Sequence, residues 1–177
     1  MKEMIDVMIT EAAISKRIEE LAEEISRDYS GLTLSLVCVL KGGVVFLSDL
    51  SRKISVNVEM DFMDVSSYGG NTTSAGVVRI EKDLARPITG KHVLLIEDIL
   101  DTGQTLSRLI RHLRAQNPAS LKVCTLLDKP ERRVIDDVRP DYVGFTIPDK
   151  FVVGYGLDYA QKYRQLPYIG VIRFEKP

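Results

Sequence analysis

Four stretches of this chain are apolar almost without interruption: LTLSLVCVL at 32–40, HVLLI at 92–96, LKVCTLLD at 121–128 and YVGFTI at 142–147. A strand with one wet face alternates polar and apolar residues; a strand buried on both faces does not. Helical patterns separate these runs, which argues for an α/β fold with a parallel sheet covered on both sides. In such folds ligands bind beyond the carboxyl ends of the strands. Three runs end in polar or glycine-rich turns, at Lys41-Gly42-Gly43, at Glu97 to Thr105 and at Asp128-Lys129. The sheet is therefore expected to gather segments that are distant in sequence.

The rest of the chain fits this scheme. Thr10 can cap a helix that runs to about Tyr29, with Ile14, Ile18, Leu21, Ala22 and Ile25 on one face and Gly31 as its stop. VVFLSDLSRKI and TGQTLSRLIRHLRAQN read as helices, the second with Leu106, Leu109, Ile110 and Leu113 inward. NVEMDFMDV and VVRIE read as strands flanking SSYGGNTTSAG, a mobile loop without apolar periodicity. KPERRVID is a turn or short helix, and YIGVI a last strand. A length of 177 residues suits one domain. The net charge of −1 without a basic block gives no nucleic-acid surface. Cys38 and Cys124 lie inside apolar runs, as buried thiols in a reducing compartment do, and two histidines are too few for a structural zinc site. The start, MKEMIDVMITEAAISKRIEEL, gains charges too early for a signal peptide or a spanning helix, so a cytoplasmic protein without membrane attachment is expected.

The loop EDILDTGQT joins two opposed chemistries. From Asp101 to Thr105 a strand turns into a helix whose first amides have no intrahelical partner, and the helix dipole adds positive character there. Gly103 permits close approach, while Thr102 and Thr105 add hydroxyls; together they form a monophosphate cradle. Neither a Walker A loop nor a dinucleotide fingerprint is present. Glu97 and Asp98 come earlier, at the strand end, where carboxylates can accept from sugar hydroxyls or attract magnesium. Asp101 is available for proton transfer. On the residues alone it could equally cap the helix, with the other two acids solvated.

VLLIEDILDTGQT resembles the phosphoribosyl pyrophosphate motif of the type I phosphoribosyltransferases. With VLKGG, SSYGG, LLDKPERR and PDKFVVGYGLDY in the same order, the chain from about Met4 to Val171 is similar to the hypoxanthine-guanine phosphoribosyltransferases, especially bacterial ones. The resemblance implies one domain over 1–177: a mainly parallel central sheet flanked by helices (core about 30–150), a small hood from the terminal segments, and a flexible lid loop. It implies a reaction of phosphoribosyl pyrophosphate with hypoxanthine or guanine that gives IMP or GMP and pyrophosphate.

The same resemblance distributes the roles. Glu97 and Asp98 serve the ribose and, with Asp158, a Mg2+ ion. Asp101, Thr102, Gly103, Gln104 and Thr105 hold the 5-phosphate, Gln104 through its backbone, and Asp101 takes the purine N7 proton. Lys41 and Gly42 hold pyrophosphate beside a cis peptide at Leu40–Lys41; Ser67 and Tyr68 close over it, and Arg133 and Arg164 reach it. Lys129, Phe151, Val152 and Asp158 bind the purine. A lysine has no acceptor, so Lys129 favours a 6-oxo group over the amino group of adenine. A homodimer or homotetramer is implied. A regulator that senses phosphoribosyl pyrophosphate on the same fold is the main alternative; the balanced charge and the presence of both Lys129 and Phe151 count against it. A transferase for xanthine or a pyrimidine, and a plain flavodoxin-like nucleotide binder, are further alternatives.

Overall fold

The computed structural model describes residues 2–68 and 77–175. Helix α1 (Glu11–Asp28) starts where the Thr10 hydroxyl accepts from the Ala13 amide at 3.2 Å, and it buries Ile14, Ile18, Leu21, Ala22 and Ile25. Gly31, at φ +77°, takes the left-handed turn beyond its end. Strand β2 (Leu34–Leu40) leads into α2 (Gly43–Ser51), which closes when the amides of Lys53 and Ile54 return to the Leu50 carbonyl. The second helix therefore stops before the end of its sequence pattern.

The central sheet has six strands in the order β4-β3-β2-β5-β6-β7, with β3 at Val58–Tyr68, β4 at Val77–Lys82, β5 at His92–Leu100, β6 at Ser120–Asp128 and β7 at Tyr142–Thr146. All neighbours are parallel except β3 and β4. Successive residues of β2 face opposite layers: Leu34, Leu36 and Cys38 pack toward α1 and α2, while Val37 and Val39 pack toward α3 (Gln104–Arg114). That double burial is why β2 and β5 lack alternation. Leu106, Leu109 and Leu113 of α3 are buried and Ile110 partly so, on the expected face.

Strand order reverses between β2 and β5, which places a crevice beyond their carboxyl ends. One boundary needs correction. Ser66, Ser67 and Tyr68, read as loop, have strand backbone paired with Arg79, Val78 and Val77, and the Ser66 hydroxyl donates to Glu81 at 2.6 Å. Cross-strand hydrogen bonding, which needs no apolar pattern, extends β3 there. The remainder of the lid sequence, 69–76, lies outside the described residues.

A second sheet joins the two ends of the chain in the order β1-β9-β8, where β1 is Lys2–Ile9, β8 is Val152–Val153 and β9 is Ile169–Glu175. Here β1 runs antiparallel to β9, from Lys2↔Glu175 to Val7↔Gly170, with an irregularity before Ile9↔Ile169. Sequence patterns did not identify β1 or β8 as strands, because the partner that orders β1 is far away in sequence and β8 itself is only two residues long. Ile9, Val152, Tyr155, Leu157 and Ile169 pack into the same apolar cluster as α1 and α2, so the hood continues the main core.

Candidate active site

At the crevice, three segments meet backbone to backbone. The Leu40–Lys41 peptide is cis, and the chain then turns through Gly42, where an added Cβ would stand 1.6 Å from Asp98 Oδ2. Gly156, at φ +99°, approaches from the hood; its Cβ would lie 2.1 Å from the Gly42 carbonyl oxygen. The resulting cavity of about 340 Å³ is lined by Lys41, Gly42, the turn 97–103, Thr105, Asp158 and Arg164.

Two carboxylates sit at its floor. Glu97 is only 7 % exposed. Burial, reinforced by the neighbouring Asp98 charge, pushes its carboxyl well above the usual range. Burial likewise raises Asp98 to about 6, although its own bond from the Ile99 amide and the positive Arg164 act the other way. Arg164 is fixed by donating to the Gly156 carbonyl at 2.7 Å and pairs with Asp158 at 2.6 Å; Asp158 also accepts from the Gln161 amide at 2.8 Å. The expected pair, six residues apart in GLDYAQKYRQ, is thus delivered to the same cavity as the β5 acids by the hood.

Beyond Asp101 the chain takes a left-handed turn at Gly103 (φ +85°), which gives α3 no side-chain cap; of its first amides that of Gln104 makes a long bond, 3.4 Å, to the Thr102 hydroxyl. Those amides remain available to an anion. A Cβ at Gly103 would meet Arg133 Cδ at 3.2 Å and Ile135 Cβ at 3.3 Å. The amides of Val134 and Ile135 both donate to the Thr102 carbonyl, at 3.0 and 3.1 Å. Arg133 itself is paired with Asp128 and donates to the Val138 carbonyl at 2.9 Å. Its guanidinium is thus engaged by the Asp128 carboxylate, and its side chain packs against the phosphate turn at Gly103.

On the opposite side Lys129 is 6 % exposed, its amide donates to the Leu100 carbonyl at 2.9 Å, and its ammonium lies 3.8 Å from Asp149. Phe151 is 57 % exposed and meets the Tyr159 ring edge-on at 5.8 Å, which leaves much of its surface open. Val152 is buried in β8 beside it. Ser67 and Tyr68 end β3. Sequence reasoning missed Arg132, whose Nε donates to Asp101 Oδ1 at 3.1 Å. It lies within the motif LLDKPERR, but nothing in that string says which carboxylate it meets.

A mainly parallel sheet with flanking helices, hooded over its switch point by the joined chain ends, is the type I phosphoribosyltransferase architecture. The family model described as "Phosphoribosyl transferase domain" matches residues 8–160. Over 178 aligned residues the chain is 50 % identical to a hypoxanthine phosphoribosyltransferase of Buchnera aphidicola, covering 99 % of this chain and 100 % of that one. It is also 50 % identical to a hypoxanthine-guanine phosphoribosyltransferase of Bacillus subtilis, over 94 % of this chain and 92 % of the relative. A crystal structure of a hypoxanthine-guanine phosphoribosyltransferase from Bacillus anthracis superposes with a TM-score of 0.91 at 45 % identity, covering 98 % of this chain and 100 % of the other. The chain belongs to the phosphoribosyltransferase family, in its hypoxanthine and hypoxanthine-guanine branch.

Proposed function

We propose that this enzyme salvages purines by transferring the 5-phosphoribosyl group of phosphoribosyl pyrophosphate to hypoxanthine or guanine, forming IMP or GMP and pyrophosphate. The observation that carries this reading is the switch-point cavity, where a cis-peptide glycine turn, two buried acids and the start of α3 face one another. The relatives carry the names of enzymes, and nothing favours the sensor reading.

In this reading the purine N9 attacks C1′ of the ribose while the C1′–O bond breaks, its electron pair leaving with pyrophosphate. The N7 proton passes to Asp101 as the N–H pair returns to the ring. The 5-phosphate lies on the amides of 102–105, and Glu97 and Asp98 face the ribose hydroxyls. Lys41, Gly42 and Arg164 bind the pyrophosphate, with Arg133 as a second basic group near it and Ser67 and Tyr68 at the edge of the lid. Lys129 donates to the 6-oxo group, Phe151 stacks on the ring, and the Val152 backbone and Asp158 meet its far edge. Fixed charges of this kind are worth roughly 3–4 kcal/mol per donor toward the transition state.

Magnesium fits these residues. Glu97, Asp98 and Asp158 offer hard oxygen donors, and the first two are carboxyls whose ionised form burial has made costly. No group of three acids among the described residues could hold an ion by itself. That suits Mg2+, which takes one or two carboxylates and fills its shell with substrate oxygens and water. When bound, it would neutralise charge developing on the leaving pyrophosphate.

A homodimer or homotetramer belongs to the same proposal, as does a single folding unit, supported by the core shared between hood and sheet. No helix among the described residues is long and apolar enough to cross a membrane. The decisive experiment compares pyrophosphate release with hypoxanthine, guanine, xanthine and adenine in the presence of magnesium and phosphoribosyl pyrophosphate. Turnover of the first two and not of adenine is expected; no turnover with any 6-oxopurine would reject the reading.

A further inference from the structure

The four charges that bracket the purine site are not independent. Arg132 Nε donates to Asp101 Oδ1 at 3.1 Å, and its Nη1 lies 3.7 Å from Asp149 Oδ2. The other oxygen of Asp149 lies 3.8 Å from Lys129 Nζ. The order is acid, base, acid, base: Asp101, Arg132, Asp149, Lys129. The two ends come from different strands of the sheet, Asp101 from the turn after β5 and Lys129 from the end of β6. Arg132 occupies the short 3-10 turn at 130–132, whose start is the Lys129 residue itself, and its amide donates to the Lys129 carbonyl at 3.1 Å. The Asp149 amide is tied back to Glu131 Oε2 at 3.4 Å.

The Arg132–Asp101 pair is half exposed on both sides, so it contributes little to holding the fold together. Its geometry matters elsewhere. With Oδ1 engaged, the carboxylate cannot spin freely, and Oδ2 is left to accept a proton. Once a planar base covers this cluster, water is excluded and the same charges act more strongly on one another. A planar guanidinium can donate to one acid while facing another; an ammonium offers a single point of charge.

Resting on the assignment of Asp101 as proton acceptor, we propose that Arg132 is a positioning residue. It orients the Asp101 carboxylate and, through Asp149, couples it to Lys129, so that the group accepting at N7 and the group donating to the 6-oxo position are set as one unit.

The test is kinetic, on the full chain. Arg132→Met should lower kcat by about tenfold or more while changing the KM for phosphoribosyl pyrophosphate by no more than about twofold, the mark of an interaction made in the reacting complex. Arg132→Lys should recover only part of the loss, and added ethylguanidine should restore rate to Arg132→Met but not to Asp101→Asn. In an Asp101→Asn background, Arg132→Met should cost no more than about a further twofold, since residues acting through one another are not additive. Asp149→Asn should raise the KM for hypoxanthine and lower kcat together. Unchanged thermal unfolding of the Arg132 variants excludes a folding effect. A wild-type kcat in Arg132→Met, or a full additional loss on top of Asp101→Asn, overturns the proposal. Wild-type turnover in Asp101→Asn alone overturns instead the proton-transfer reading beneath it.

Discussion

The carboxylate of Asp98 rests on the bare Cα of Gly42: a methyl group there would overlap Oδ2 at 1.6 Å. The end of β5 and the turn after β2 are therefore mutually shaped, and each fixes the other's position in the cavity. Gly156 approaches the Gly42 carbonyl from the hood, so the turn is closely flanked on that side as well.

Gly42→Ala should consequently do more damage to catalysis than its size suggests. Overpacking of this kind costs about 1–3 kcal/mol of stability. Because Asp98 must swing out of place, kcat/KM for phosphoribosyl pyrophosphate should fall by about tenfold or more, as misplacement in an active site commonly causes. Steady-state rates together with thermal unfolding check both effects; a fully active, less stable variant would contradict the coupling.

Asp101→Asn should bind both substrates and turn over slowly, by roughly 10²–10⁴ as general acid–base roles allow. Lys129→Ala should raise the Michaelis constant for hypoxanthine more than that for phosphoribosyl pyrophosphate. Product formation in single turnovers separates the two effects, and the opposite ordering for Lys129 would remove it from the purine.

The buried acids make the metal-free protein sensitive to pH. Asp98 is raised to about 6 in the folded chain, chiefly by burial, from the roughly 3.9 of a free aspartate. The folded state then binds the proton more tightly than the unfolded one, so stability falls as pH rises through this window. The penalty is absent below the unfolded value and complete above the folded one, on the order of 3 kcal/mol at neutral pH. In the presence of a chelator, Asp98→Asn should raise Tm at pH 8 and leave it nearly unchanged at pH 4. Equal shifts at both pH values would show that packing, not charge, is responsible.

Arg133→Met should destabilise the protein by about 3–5 kcal/mol, since it abandons Asp128 in a partly buried site. Adding Asp128→Asn to the same chain should recover part of the loss. If Arg133→Met instead leaves denaturant unfolding unchanged and only weakens pyrophosphate binding, the guanidinium serves the ligand directly.

The sheet was legible in the sequence because burial on two faces writes a continuous apolar run, as in VCVL and VLLI. The helix starting at Thr10 was legible because capping is local. The phosphate turn could be read from Asp101-Thr-Gly-Gln-Thr, since a glycine before a helix start has local physical meaning. Where contacts span the chain the sequence is silent. Nothing in KEMIDVMI announces that Ile5 and Ile172 will pair, and nothing in KPERR separates Arg132, which meets Asp101, from Arg133, which meets Asp128. Those partners are chosen by the docking of whole elements, after secondary structure exists.

The pairing of β1 with β9 carries a consequence for how the molecule is made. Residue 2 must wait for residue 175 before it can find its neighbour. During translation the emerging chain can assemble α1 against the first parallel strands, because those contacts are close along the polymer and quick to form. The roof that brings Asp158 and Arg164 over the cavity closes only after β9 has cleared the ribosome. A nascent chain is thus kept from completing its crevice until β9 has been made.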